Sequence, residues 1–364
     1  MRPRRLSMPV LRARALKVTA LLPTLMGLTA VIAGAADGSI HHSRGLGPAQ
    51  LAVVINSAYP LSVAIGEYYA RQRHIPASNI ARVAFDHARR VLPVEEFAQL
   101  KAAIDSQLPP SVQAYALTWA QPYRVGCMSI TSAFAFGFDA RFCADSCVAT
   151  RLSPYFDSGS SEPYADLRLR PTMSVAAASF EQAKALIDRG VRADASRPSG
   201  TAYLVTSDGG PRDVRASGYP DAQMLAGDRI KVQIIHAGAL ENRRDVMFYF
   251  IGAVEVSALQ TNQFLPGAVA DHLTSAGGAL TDSSQMSSLR WLEAGATGSY
   301  GTVIEPCNFT AKFPNPGLLM HHYLAGETLI EAYWKSVAMP GQGIFIGEPL
   351  ARPFRSVTAL AVSH

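Results

Sequence analysis

The chain has 364 residues, of which 48% are hydrophobic and 17% are charged, so it can bury a large core and disorder is not expected. Its formal net charge is +5, but six of the 33 basic residues and none of the 28 acidic residues lie in residues 1–36. The rest of the chain carries 27 basic and 28 acidic residues, which removes the main argument for a nucleic-acid partner.

The first 35 residues have the parts of a signal peptide. A basic segment precedes an uncharged apolar run from Val18 to Ile32, and Ala33-Gly34-Ala35 has the small-x-small form that signal peptidases cut. We therefore expect residues 1–35 to be removed and the mature protein to be periplasmic or extracellular, without a membrane span. The alternative is an uncleaved membrane anchor, because the uncharged run extends to Ala36 and approaches spanning length.

Strands and helices alternate from residue 51 onward. LAVVIN and IARVAF predict buried strands, and Leu61, Ile65, Tyr68 and Tyr69 predict an amphipathic helix between them. The alternation continues with a helix in PVEEFAQLKAAIDSQL, a strand in AYALTW, a helix near FEQAKALIDRG, and strands in TAYLVTS and VMFYFIGAV. This order predicts that residues 36–364 form a single α/β domain, a three-layer sandwich with a mainly parallel sheet.

The second half of the chain adds further elements. GAVADHLTS and the glycine-rich SYGTVI predict strands, with a short helix carrying Met286, Leu289 and Leu292 between them, and a helix is predicted from Thr328 to Val337. Residues 153–171 are rich in Ser, Gly, Pro and Asp, so we expect a loop-rich, cysteine-containing insertion around residues 125–172.

Four cysteines, Cys127, Cys143, Cys147 and Cys307, are expected to form disulfides in an oxidising compartment. Three complete pairings are possible. Pairing of Cys127 with Cys143 or Cys147 is favoured, because Cys143 and Cys147 together would close a very small ring. A metal site is the alternative, although C-x3-C lacks the paired spacing of zinc motifs.

Several sequence motifs with known mechanics are absent. The chain has no G-x-S-x-G, no Walker A loop, no H-E-x-x-H and no EF-hand loop. Gly341-Gln-Gly343 with Gly347 follows a predicted helix and lacks the strand-turn-helix context of a dinucleotide site. We therefore expect neither a metal nor an organic cofactor.

From Pro266 onward the sequence strongly resembles an uncharacterised family of exported bacterial proteins. The match also includes LAVVINSAYPLSVAIGEYYARQRHIP and YRVGCMSITSAFAFGFDARFC, so it covers most of the mature chain. That family occurs in genomes that carry exosortase, a proposed protein-sorting transpeptidase. The resemblance implies a cell-envelope partner, whether a peptide, a protein or a polysaccharide, and no particular reaction.

GATGSYGTV, TLIEAYWKS and FIGEPLARPF resemble, in their order, elements of gingipain-type cysteine peptidases, which have a caspase-like α/β fold. In those enzymes one strand ends in a catalytic histidine and the next in the nucleophilic cysteine. Here VMFYFIGAV continues to Glu255-Val256-Ser257, and GAVADHLTS ends in Thr274 and Ser275. Both catalytic positions lack the expected residue, so the resemblance implies a degenerate peptidase that acts as a binding or accessory protein.

A relocated catalytic site is the alternative hypothesis. His272 lies near the end of one predicted strand and Cys307 follows the next, and the carboxyl ends of parallel strands face one crevice. The histidine could therefore activate the thiol while Asp271 or Glu305 orients the ring. Such a site would make the protein a cysteine hydrolase. The competing interpretation is that Cys307 is buried or oxidised.

Other side chains at the predicted strand ends could line the same crevice. Thr274 and Ser275 are either hydroxyl nucleophiles or turn caps, and Gly277 and Gly278 permit positive φ or close approach of a ligand. The further candidates come from other strand ends: Trp119, Arg124, Asp208, Arg212 and Glu305. An arginine there could hold a carboxylate in bidentate geometry.

Overall fold

A computed structural model describes residues 45–144, 147–208 and 210–356. The predicted signal peptide, residues 1–35, lies outside the described residues. The described strands are β1 (Leu51–Asn56), β2 (Ile80–Val83), β3 (Val91–Leu92), β4 (Ala114–Leu117), β5 (Arg124–Val125), β6 (Met128–Ser129), β7 (Thr172–Ser174), β8 (Thr201–Thr206), β9 (Lys231–His236), β10 (Val246–Gly252), β11 (Phe264–Leu273), β12 (Gly298–Thr302) and β13 (Gly343–Gly347).

Ten of these strands form one sheet in the order β2-β1-β4-β7-β13-β12-β11-β10-β8-β9. β12 and β13 are antiparallel, and all other neighbouring strands of this sheet are parallel. In the first half of the sheet, β2 lies on the outer side of β1, and β4 and β7 lie on its inner side. In the second half, β9 lies on the outer side of β8, and β10, β11 and β12 lie on its inner side. The sheet therefore has a strand-order reversal between β1 and β4 and another between β8 and β10. β3, β5 and β6 form a separate small sheet.

Helices cover both faces of the large sheet. The described helices are α1 (Pro60–Gln72), α2 (Val94–Gln107), α3 (Ile130–Phe136), α4 (Pro163–Leu167), α5 (Phe180–Ala193), α6 (Tyr219–Ala226), α7 (Leu289–Ala294), α8 (Pro316–Leu324) and α9 (Leu329–Lys335). α1 packs on α5, and α5 and α7 contact β11. On the other face α6 packs on α8, α8 packs on α9, and rings of α2 and α9 contact α3. The predicted three-layer α/β architecture with a mainly parallel sheet is confirmed.

The sequence explains why the central strands form. All six residues of β1 and all seven of β10 are buried, as expected where helices cover both faces of a parallel sheet. Local signals fix the helix starts: Ser179 caps α5 by accepting a hydrogen bond from the amide of Gln182, and Thr328 and Glu331 form a capping box at α9.

Several sequence-based boundaries change in the structure. The short helix α7 begins at Leu289, so Met286 precedes it. The strand that starts at Val246 ends at Gly252, before Glu255. The segment predicted as a loop from 153 to 171 includes the short helix α4. Within the described residues, no helix is long and apolar enough to cross a membrane.

Two disulfides join the four cysteines. Cys127 pairs with Cys143, one of the two favoured partners, and Cys147 pairs with Cys307 across 160 residues of sequence. The prediction of disulfides is confirmed. No group of His, Cys, Asp and Glu among the described residues is arranged to hold a metal ion.

Candidate functional site

His272 is buried near the end of β11 and both of its ring nitrogens have partners. Its Nδ1 accepts a hydrogen bond from Nε1 of Trp291 at 2.9 Å, and its Nε2 lies 3.1 Å from the carbonyl oxygen of Met286. This pair of contacts requires the neutral tautomer with the proton on Nε2, which donates to Met286. Burial lowers the pKa of His272 to about 3. The ring is therefore a neutral core group.

Asp271 points to the opposite face of the sheet, because neighbouring residues of a strand alternate sides. Its Oδ1 lies 2.6 Å from Nη1 of Arg215, and both side chains are buried. Burial raises the pKa of the Asp271 carboxyl group, and the charge of Arg215 opposes that rise. Asp271 therefore forms a buried ion pair and cannot orient the ring of His272.

Arg215 was not among the sequence-based candidates. It follows β8 and donates from Nη2 to the carbonyl oxygen of Ile251 at 3.1 Å, so it links the end of β10 to Asp271 on β11. Its guanidinium lies 5.6 Å from the ring centre of Phe250 and 6.0 Å from that of Phe313. These contacts make Arg215 a structural link between two strand ends.

Cys307 lies after β12 and its sulfur is bonded to Cys147. The residue has a left-handed backbone (φ +52°), and its amide donates to Oε1 of Glu305 at 2.8 Å. With Cys307 oxidised and both nitrogens of His272 occupied, the structure does not form the predicted dyad of His272 and Cys307. The physical reason is that Trp291 and Met286 hold the ring in the core while the disulfide removes the nucleophile.

A cleft of about 330 Å³ lies at the carboxyl ends of β8, β11 and β12. We call it the strand-end cleft. It contains the predicted crevice residues Thr274, Ser275, Glu305 and Cys307, together with Arg212, which follows β8. Its remaining lining residues are Cys147, Pro211, Leu273, Pro306 and Asn308. Ligands of open α/β sheets bind beyond the carboxyl ends of strands near a strand-order reversal, and β8 borders one here.

Arg212 carries the positive charge of the strand-end cleft. The side chain is half-buried, and its buried Nε has no hydrogen-bond partner within the described residues. Glu305 is exposed and carries the negative charge among the lining residues. The cleft therefore offers a guanidinium donor and a carboxylate acceptor to a ligand.

Thr274 and Ser275 line the cleft, and hydrogen bonds hold this segment after β11 in place. The Thr274 hydroxyl donates to Oε1 of Gln285 at 2.7 Å, and this same oxygen accepts from the amide of Ala276 at 2.8 Å. Thr302 Oγ1 lies 3.1 Å from the carbonyl oxygens of both Thr274 and Ser275. The Thr274 hydroxyl faces an amide rather than a general base, so this geometry gives it no means of activation.

Gly277 and Gly278 approach the backbone of β12 rather than a ligand. A Cβ atom on Gly278 would lie 2.7 Å from the carbonyl oxygen of Gly301. The amide of Gly278 donates to the carbonyl oxygen of Thr302 at 2.9 Å. A Cβ on Gly277 would lie 3.3 Å from His272 and from Ser288. Close packing explains both glycines, and neither lines the cleft.

Trp119 and Arg124 lie outside the strand-end cleft. Trp119 is buried against Phe85 and donates from Nε1 to the carbonyl oxygen of Pro122. Arg124 belongs to β5 of the small sheet. Tyr123, next to Arg124, donates to Asp282 at 2.7 Å, so this region contacts the loop after β11, and neither Trp119 nor Arg124 lines the cleft.

A larger depression of about 480 Å³ lies on the outer surface of α5, and its lining residues come from that helix alone. It has no strand ends, no disulfide and no convergence of separate chain segments. The strand-end cleft is therefore the stronger candidate for a functional site.

These features define an α/β protein with a mainly parallel sheet and a polar cleft at its strand ends. No protein-family model and no curated protein matches the chain. A solved structure described as "Structure of Protease" is similar over 85% of this chain and 80% of its own, with 10% sequence identity and a TM-score of 0.43. At that level of similarity neither an activity nor the role of any residue transfers to this chain.

Proposed function

We propose that this chain is an exported binding or accessory protein of the cell envelope that holds a ligand in the strand-end cleft without covalent catalysis. The observation that carries the proposal is the pairing of a polar cleft with an oxidised Cys307 in its wall. The sequence resemblance to exported proteins of exosortase-carrying genomes supports exosortase-linked partners as the first candidates to test. Two disulfides support an oxidising compartment such as the periplasm or the cell exterior.

The charges of the cleft favour a ligand with a carboxylate. Arg212 comes from the segment after β8, and Thr274 and Ser275 come from the end of β11, so a ligand would contact separate segments that the sheet holds in place. Arg212 lines the cleft, and an arginine guanidinium can form two parallel hydrogen bonds to a carboxylate. Glu305 would then accept from amide or ammonium groups of the same ligand. A peptide with a free carboxyl group satisfies both requirements.

The hydrolase alternative requires a thiolate and a base that this arrangement does not supply. Cys307 would first have to be reduced, and His272 would have to leave Trp291 and Met286 and become accessible. The depressed pKa of His272 also makes its imidazole a weak base. Binding without hydrolysis is therefore the function that these contacts favour.

The test measures binding of matched peptide libraries to the full-length chain. One library carries free C-terminal carboxylates and the other has the same sequences amidated. We expect selected peptides to bind only as free acids and Arg212→Gln to weaken them by about 10-fold to 100-fold. Arg244→Gln is the matched control, because Arg244 is an exposed arginine just before β10, at the amino end of that strand. Equal binding of acid and amide forms, or equal losses in both variants, would refute the carboxylate site.

A further inference from the structure

The two disulfides have different surroundings. Cys127 and Cys143 are half-buried and pack against the main hydrophobic core. Cys147 is exposed, Cys307 is half-buried, and both line the strand-end cleft. A thiolate can therefore approach the second disulfide through an existing opening, whereas the first is backed by core side chains.

The charge of the cleft also suits thiol–disulfide exchange. Such exchange requires an attacking thiolate and releases a second thiolate, and a neighbouring cation stabilises both anions. Arg212 lines the same cleft as the disulfide. The negative charge of Glu305 disfavours a neighbouring thiolate. Glu305 is exposed to solvent, however, and its Oε1 already accepts a hydrogen bond from the amide of Cys307.

The cleft disulfide connects distant parts of the chain. Cys147 belongs to the segment between α3 and α4, and Cys307 belongs to the segment after β12. Cys307 has a left-handed backbone, a conformation that residues other than glycine rarely adopt. Breaking the S–S bond would release that residue and separate two segments that form adjacent parts of the cleft wall.

We propose that the Cys147–Cys307 disulfide is a thiol–disulfide exchange site and that its reduction opens the strand-end cleft. A thiolate of the reductant attacks one sulfur, the S–S bond breaks, and the other cysteine leaves as a thiolate. A second thiol then resolves the mixed disulfide. The products are two cysteine thiols in the protein and one disulfide in the reductant, a two-electron transfer. The reductant is a thiol, either a dithiol protein or a low-molecular-weight monothiol. The effect on ligand affinity rests on the proposed function, but the exchange reaction does not.

The experiment follows both disulfides of the folded, full-length chain during reduction. One arm uses reduced glutathione and the other uses a thioredoxin-type dithiol protein. Samples are quenched with acid, alkylated and mapped by mass spectrometry, while circular dichroism reports whether the chain stays folded. We expect Cys147 and Cys307 to be alkylated about tenfold faster or more than Cys127 and Cys143, with the fold retained. The faster arm identifies the class of reductant.

Two variants separate exchange from unfolding and from ligand binding. Cys127→Ser/Cys143→Ser should exchange the remaining disulfide at an unchanged rate, and Arg212→Gln should slow that exchange several-fold because the cation is lost. Simultaneous reduction of both pairs, or reduction only when the circular dichroism signal is lost, would overturn the proposal. Rapid exchange together with absence of peptide binding would leave the exchange site standing and reject the binding function.

Discussion

The indole nitrogen of Trp291 donates a 2.9 Å hydrogen bond to Nδ1 of His272 within the core. This contact, together with the carbonyl oxygen of Met286 at Nε2, fixes the histidine as a neutral structural group. The next residue toward the amino terminus, Asp271, lies on the other face of the sheet with Arg215. Two adjacent polar residues therefore serve two separate buried networks rather than one catalytic site.

The burial of His272 predicts a pH dependence of stability. Its pKa is about 3 in the folded protein and about 6.5 in an unfolded chain. Between these values the unfolded state binds a proton that the folded state does not, so the free energy of unfolding decreases as pH falls. The slope from this residue is at most about 1.4 kcal/mol per pH unit.

His272→Gln should flatten that slope and cost about 1–3 kcal/mol at pH 7, because one or both buried hydrogen bonds are lost. Urea denaturation at several pH values measures both effects. The exposed His236→Gln is the control for loss of a histidine. Titration of the His272 ring near its unfolded value, followed by NMR, would contradict the structural assignment.

Removal of Arg215 should destabilise the protein strongly. Arg215→Met leaves the buried carboxylate of Asp271 without its ion partner, at an expected cost of about 3–5 kcal/mol. The double variant Arg215→Met/Asp271→Leu should recover much of that loss, because no unpaired charge remains. A double-mutant cycle in urea tests this, and simple additivity of the two single losses would show that the two side chains do not interact.

Close packing at Gly278 predicts a position-specific effect of one methyl group. Gly278→Ala places a Cβ against the backbone of Gly301 in β12. Either β12 or the loop after β11 must then shift, which lowers the free energy of unfolding by about 1–3 kcal/mol. Gly159→Ala is the matched control, since no atom lies within 4 Å of its added Cβ. Equal thermal stability of the two variants would contradict the packing argument.

The two disulfides should differ in their effect on stability. In the chain-entropy description, a crosslink over 160 residues stabilises by about 5 kcal/mol and one over 16 residues by about 3 kcal/mol. Cys147→Ser/Cys307→Ser should therefore lower the free energy of unfolding more than Cys127→Ser/Cys143→Ser. The reverse order in urea denaturation would mean that core packing of the short crosslink outweighs loop length.

The strands that were predicted from sequence share long apolar runs. β1 and β10 have nearly continuous hydrophobic sequences, as expected of strands that helices cover on both faces, and the amphipathic pattern of α1 predicts a helical connection between β1 and β2. From these runs the layered α/β architecture follows.

The elements that sequence reasoning missed lack such signals. The helix α3 is almost entirely buried and shows no polar face, while β9 is a partly exposed edge strand. The antiparallel β13 is short and bounded by glycines. Neither α3 nor β13 has the alternation or the helical period on which prediction depends, and the alternation in β9 covers only four residues.

The sequence indicates which chain segments meet at the strand ends, but not the contacts that their side chains make. The order of strands was enough to place Ser275 and Glu305 beside one cleft. Which face of β11 carries His272 depends on register, and the partner of Cys307 lies 160 residues away, so neither follows from local sequence. The Asp271–Arg215 pair likewise depends on the fold of the segment after β8.

The most direct test of the central claim, ligand binding without covalent catalysis, is a combined thiol and hydrolysis measurement on the folded, non-reduced chain. A reagent that alkylates free thiols is applied first. The same sample is then incubated with the free-acid peptide library and analysed by mass spectrometry. We expect Cys307 to remain unmodified and the bound peptides to be recovered intact. Cleavage of peptides that is abolished by Cys307→Ala or by His272→Ala would contradict the account.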